Sequence, residues 1–124
     1  MEYNKIGFWQ NFKSGVDSAA TEYNVSVTFE GPENEEDYAA QNKMISRAAE
    51  NGADVIELSA IDRTRNAPTV NAAVRNGVQV IAADSALDSS LISLFIGTDN
   101  PAAGIEAAKA LEAQFPAGEK IKLE

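Results

Sequence analysis

Asn51-Gly52-Ala53-Asp54-Val55-Ile56 and Asn76-Gly77-Val78-Gln79-Val80-Ile81 are one device used twice, with the Asn-Gly pairs 25 positions apart (76 minus 51). Glycine just past the last turn is a helix stop, and in both cases an apolar strand begins at once. Ahead of the first stop, Gln41, Met44, Ile45, Ala48 and Ala49 recur on one face of a helix starting near Asp37. Ahead of the second, Val70, Ala73 and Val74 do the same in a helix starting near Pro68. The loops differ between the two units. The repeat is therefore a βα supersecondary unit rather than a solenoid.

Working outward, the pattern continues in both directions. Phe8, Phe12, Val16, Ala19, Ala20 and Tyr23 fall at three- and four-residue steps, so a first helix ends at Asn24. Val25 to Glu30 alternates as a strand, and Gly31-Pro32 breaks it. The strands after the two stops run from Val55 to Ile61 and from Val78 to Ala83, and a further strand runs from Ile92 to Gly97. Asn100 as N-cap with Pro101 at the first helical position starts a last helix, carrying Ile105, Ala108, Leu111 and Phe115 and ending before Pro116. Strands alternating with helices predict an α/β fold: a doubly wound, mostly parallel sheet flanked by helices on both faces. Right-handed crossovers place every strand-to-helix loop on one edge.

Both ends read as incomplete. A chain of this type should open with a buried strand, and only Tyr3 to Gly7 precede Phe8, so the first strand is missing. Residues 1–118 read as one lobe, and 119–124 as the truncated start of a second lobe plus a tag remnant at Leu123-Glu124. Neighbours of a lost strand would expose unpaired backbone groups. The expectation is that a second chain or the Lys120–Leu123 segment closes the slot, by dimerisation or strand exchange.

Bulk composition narrows the function. The 124 residues suit one domain. Ten basic residues against 19 acidic give a net charge of −9, which disfavours nucleic acid and anionic membrane surfaces. There is no cysteine and no histidine, so disulfides, thiolate metal sites and the commonest general base are closed to the chain. No apolar stretch approaches the roughly 20 residues of a membrane span. No secretion signal opens the sequence. Glu33-Asn34-Glu35-Glu36-Asp37 lacks the alternating ligands and central glycine of a calcium loop, and no phosphate-binding glycine motif is present. No cofactor or metal is expected, and no catalysis.

Three apolar runs end in aspartates: Asp62, Asp84 and Asp99. Parallel strands would gather all three along the edge where open α/β sheets bind ligands. Aspartates also begin turns and cap helices. Asp99-Asn100-Pro101 reads mainly as a cap, and Asp62-Arg63-Thr64-Arg65 can be a solvated turn with a local ion pair. Asp84 has no helix start behind it, so ligand contact is favoured there. Carboxylates suit hydroxyl-rich ligands because charged acceptors make the stronger hydrogen bonds. An aromatic ring covers the apolar face of a pyranose. Trp9 is the one tryptophan, Phe8 and Phe12 share its helix, and Phe12 reads as the core member.

Phe8-Trp9-Gln10-Asn11-Phe12-Lys13-Ser14-Gly15, Phe29-Glu30-Gly31-Pro32, Gln41, Ala53-Asp54-Val55-Ile56, Asp84-Ser85 and Phe95-Ile96-Gly97-Thr98-Asp99-Asn100 resemble, in order, the amino-terminal lobe of type I periplasmic sugar-binding proteins, the ribose- and galactose-binding-like receptors of ABC transporters. The resemblance runs from about Asn4 to Leu123. It implies two similar lobes closing on a ligand, a 2-1-3-4-5 sheet order, an extracytoplasmic location and an ABC permease as partner. It implies that Asn4 follows the first strand, that Phe8 and Trp9 stack on the sugar ring, and that Asp84 accepts from its hydroxyls. It also brings Asp62 and Arg63 to the cleft. Many members carry arginine beside that second aspartate, where this chain has Ser85, so the ligand need not be ribose. One lobe alone should bind weakly. The same lobe occurs in lac-repressor-like regulators and in extracellular two-component sensors, which stay open as alternatives. A phospho-receiver or flavodoxin-type enzyme is disfavoured, because a receiver's acidic pair would follow the absent first strand.

Overall fold

Local chain chemistry dictates where the first two strands of the sheet start. The structure, a computed structural model, describes residues 7–115. Asn4 and residues 119–124 lie outside that range. In chain order the elements are α1 (Gly7–Tyr23), α2 (Tyr38–Glu50), β1 (Val55–Leu58), α3 (Ala67–Arg75), β2 (Gln79–Ala83), β3 (Leu94–Ile96) and α4 (Asn100–Glu112). The strands lie in the order β1-β2-β3 and both pairings are parallel. This is the α/β architecture read from the sequence.

Gly52 and Gly77 adopt φ of +80° and +96°, the left-handed conformation that ends a helix. Around each, two bonds close a Schellman motif. Gly52 N–H donates to Ala49 C=O and Ala53 N–H to Ala48 C=O; Gly77 N–H donates to Val74 C=O and Val78 N–H to Ala73 C=O. Orphan carbonyls at the helix ends are thereby satisfied, and the chain reverses straight into β1 and β2. Asn24 does the same after α1, at φ 54°, with Val25 N–H donating to Ala20 C=O.

The core lies on one face of the sheet. Val80 and Ala82 of β2 pair with Ile56 and Leu58 of β1, so these four share a face. Ile45 of α2 and Ala67, Val70 and Ala73 of α3 cover it, with Leu87 at one end. Val70 and Val80 are 0% exposed. On the opposite face Val55, Leu94 and Ile96 stay exposed, and neither α1 nor α4 contributes a buried residue.

Several expectations are corrected. Val25 to Glu30 joins no ladder. Alternation alone does not make a strand, which needs a neighbour for its backbone groups, and none pairs with this segment among the described residues. β1 stops at Leu58 rather than Ile61, because Ser59 to Ile61 turn to side-chain partners described below. The next two strands are likewise shorter, Gln79–Ala83 and Leu94–Ile96. The α4 N-cap is Asp99, not Asn100, since its carboxylate accepts from the Ala102 amide. Phe115 lies past the end of α4, and Ile105 is 56% exposed rather than packed.

Truncating Val80 to alanine should cost about 2–3 kcal/mol in urea unfolding, as a fully buried aliphatic does. Glycine substitutions should split by sign. Nothing lies within 4 Å of a Cβ added at Gly77 or at Gly15, so only backbone conformation differs. Gly77→Ala should destabilise by about 1–2 kcal/mol, and Gly15→Ala, inside α1, should stabilise by about 0.5–1 kcal/mol. Equal effects at the two sites in urea unfolding would contradict the left-handed role of Gly77.

Candidate functional site at the carboxyl edge of the sheet

The three aspartates differ in what their oxygens already do. Asp62 Oδ1 accepts from the Thr64 and Arg65 amides at 3.0 and 2.8 Å, and Arg65 Nε lies 3.3 Å from Oδ2. The bond from the Arg65 amide, aided by the Thr64 amide and the Arg65 charge, holds this carboxyl below its ordinary value against a smaller opposing effect of desolvation. What this contributes to stability is present above the ordinary carboxylate pKa and is lost as pH falls through the lowered one. Asp99 Oδ1 caps α4 through the Ala102 amide at 3.0 Å. Asp84 is different. Its carboxylate is exposed, with only Ser85 Oγ near it at 3.5 Å among the described hydrogen bonds.

Asp84 also stands in unusual backbone. Its φ is +63°, and Ser85 N–H donates to Ala83 C=O at 2.7 Å, closing a γ-turn centred on the aspartate. Asp84 N–H donates to Ile96 C=O at 2.8 Å, so β3 holds the turn in place. A non-glycine residue here costs on the order of 1–3 kcal/mol, and such strain clusters at binding sites.

The loop from Ser59 to Asn66 forms the neighbouring rim and is held by amide side chains. Gln41, in the first turn of α2, accepts from Ile61 N–H and donates to Ser59 C=O, both at 2.9 Å. Asn66 is 0% exposed. Its Oδ1 accepts from Asp62 N–H at 2.8 Å, and its Nδ2 donates to Asn42 Oδ1 at 2.8 Å and to Tyr38 C=O at 3.3 Å. Asn42 donates in turn to Arg65 C=O at 3.2 Å. The Arg65 guanidinium lies 4.8 Å from the centre of the Tyr38 ring, a cation–π contact. Among the described residues no buried side-chain polar atom lacks a partner.

The two rim loops are fastened together. Asp88 N–H donates to Arg63 C=O at 3.0 Å, and the Arg63 guanidinium lies 3.8 Å from Asp88 Oδ1. Ser59 and Ser85 hydroxyls meet at 3.5 Å. Asp62, Arg63, Asp84 and Ser85 therefore share one edge. Phe8 and Trp9 sit in a separate aromatic cluster. Phe8 and Trp9 meet edge to face at 4.9 Å, Phe12 lies beside both, and Phe12 packs on Phe29 at 6.3 Å. Trp9 Nε1 donates to Glu35 Oε1 at 2.9 Å, in the loop that leads into α2. That loop enters the helix end from which Gln41 reaches the rim. Phe12 is half-buried, and Phe8 is 50% exposed.

Sequence reasoning missed Asn42, Ser59, Asn66 and Asp88, and gave Gln41 a place on a helix face and in the family resemblance but no role at the rim. The spacing of Gln41 from the loop it serves carries no local signal. Asn66 directly before Ala67-Pro68 carried a cap signal, although its side chain caps nothing.

The sequence matches the family described as periplasmic binding protein domain over residues 1–123. Among solved structures, a sugar ABC transporter sugar-binding protein from Bacillus halodurans is similar at 29% identity and TM-score 0.82, covering 90% of this chain and 38% of that one. An ABC transporter solute-binding protein from Agrobacterium vitis with bound D-fucose is 34% identical, with TM-score 0.79 and coverage of 88% and 39%. A carbohydrate transporter solute-binding protein from Agrobacterium radiobacter in complex with D-arabinose is 27% identical, with TM-score 0.80 and coverage of 89% and 37%. This chain thus spans less than two-fifths of the length of each of these proteins. With its parallel sheet, the helix α3 crossing from β1 to β2 and a family match over nearly all of its length, the chain belongs to the periplasmic binding protein domain family.

Proposed function

We propose that this chain is the ligand-contacting amino-terminal lobe of a carbohydrate receptor that works outside the cytoplasmic membrane and delivers its sugar to an ABC permease. The observation that carries this reading is Asp84. It is the one aspartate of the three whose carboxylate no backbone amide engages among the described residues, and its γ-turn sets it at the carboxyl edge of β2. Sugar hydroxyls are donors, and a carboxylate accepting two of them forms strong, directional bonds. Ser59 and Ser85 add hydroxyls beside it. Trp9 supplies an aromatic face for the C–H side of the ring, and Phe8 flanks it. Arg63 sits on the adjoining rim, where Asp62 shapes the loop. Asn4 joins this set by resemblance alone.

No bond is made or broken in this scheme. Binding free energy shifts two lobes towards a closed arrangement, and the closed form is what the permease reads. D-fucose and D-arabinose, the sugars held by two similar proteins, are the natural first probes.

Titration of the chain with either sugar at high millimolar concentration should move the amide resonances of Ser59, Asp84 and Ser85 and the indole resonance of Trp9. Asp84→Asn should weaken binding by about tenfold or more, the worth of a charge-assisted hydrogen bond. Trp9→Ala should abolish the shifts altogether. Sugars that move none of these resonances, while a nucleotide or peptide does, would overturn the carbohydrate reading.

A further inference from the structure

We infer that Glu35 is the positioning residue for Trp9: it fixes the ring through which this lobe contacts its ligand. The inference rests on the carbohydrate reading for its purpose, but the clamp itself stands on geometry. Trp9 lies in the first turns of α1, a helix that buries none of its residues. Exposed aromatic side chains on a loosely packed helix exchange among staggered rotamers. Trp9 is constrained instead. Its Nε1 donates to Glu35 Oε1 at 2.9 Å, and Phe8 meets its ring edge to face. An indole N–H paired with a carboxylate is a charge-assisted bond, stronger than one to a neutral acceptor.

The acceptor is itself held. Asn34 Oδ1 accepts from Glu36 N–H at 2.9 Å, and Asn34 C=O accepts from Asp37 N–H at 3.1 Å, so Glu35 sits at the tip of a closed turn. Asp37 caps α2 through the Ala40 amide at 2.8 Å. Gln41, one turn further on, grips the Ser59–Ile61 loop. A chain of hydrogen bonds and short backbone steps thus runs from the indole to the rim beside Asp84. Its effect is to place the aromatic platform relative to the acidic acceptor before any ligand arrives, which lowers the ordering cost of binding. The acidic loop at 33–37, with no metal-binding pattern, gains a role for one of its carboxylates.

Trp9 is the only tryptophan, so its fluorescence reports the clamp without a ligand. Glu35→Ala should lower the steady-state anisotropy of Trp9 and raise its acrylamide quenching, with circular dichroism and melting temperature unchanged. Glu35→Gln, which keeps an acceptor oxygen, should restore most of both. Glu33→Ala, a neighbouring charge, should change neither. Titrated with D-fucose or D-arabinose, Glu35→Ala should bind roughly three- to tenfold more weakly than the parent chain. Anisotropy and quenching unchanged in Glu35→Ala would overturn the clamp whether or not sugar binds. If both change as expected but neither sugar alters the fluorescence of the parent chain, the clamp is supported and the carbohydrate purpose given to it is overturned.

Discussion

Where β1 stops pairing at Leu58, its backbone does not yet reach water, and the amide side chains of Gln41 and Asn66 take over the hydrogen bonding. Unpaired buried N–H and C=O groups are costly. Gln41 offers one donor and one acceptor to Ser59 and Ile61, much as a neighbouring strand would. Asn66 offers its acceptor to Asp62 and its donor to Asn42 and Tyr38. The rim loop thereby has one shape instead of several. Everything beyond it depends on that: Arg63 meets Asp88, and Ser59 meets Ser85, only because the loop is held where it is. Replacing Asn66 by an apolar residue would remove the partner of the Asp62 amide and of the Asn42 side-chain oxygen together, so the loop would loosen on the side that faces α2.

The same accounting separates the aspartates. Asp62 and Asp99 end apolar runs just as Asp84 does, yet their carboxylates serve backbone amides of a turn and of a helix start. Such amides are the orphan donors of the local chain, and a nearby carboxylate is their cheapest partner. Asp84 has no helix start behind it. Its own γ-turn directs the following amide, Ser85 N–H, to Ala83 C=O. Among the described residues that leaves the carboxylate at the sheet edge with the Ser85 hydroxyl at 3.5 Å and no backbone amide.

Much of the fold was legible because its strongest signals are local. An Asn-Gly pair after a run of helix-spaced apolar residues leaves glycine as the residue that can take positive φ, and both pairs do so. Strand existence and direction followed from these stops. Strand length did not, because apolar residues continue through Ser59 to Ile61 after the ladder ends. Val25 to Glu30 was misread for a related reason: alternation describes a face, whereas a strand also requires a partner, and that is a non-local fact. The cap of α4 was misplaced by one residue because Asp99 and Asn100 are both competent caps. Reach decides between them, and it is the Asp99 carboxylate that meets Ala102 N–H at 3.0 Å. The aspartate edge was visible in the sequence; the amide lattice behind it was not, since nothing near Gln41 announces an acceptor need 20 residues away.

Charge bears on what such a rim can hold. The chain carries a net charge of −9, and the proposed acceptor adds a carboxylate at the contact point. On the adjoining loop the Arg63 guanidinium lies 3.8 Å from Asp88 Oδ1, and that of Arg65 lies 3.3 Å from Asp62 Oδ2. On the carbohydrate reading proposed above, a sugar acid or sugar phosphate would bring like charge to the exposed Asp84 carboxylate, and like charges repel. On that same reading a neutral polyol meets no such penalty, and its hydroxyls are donors that the Asp84 carboxylate can accept.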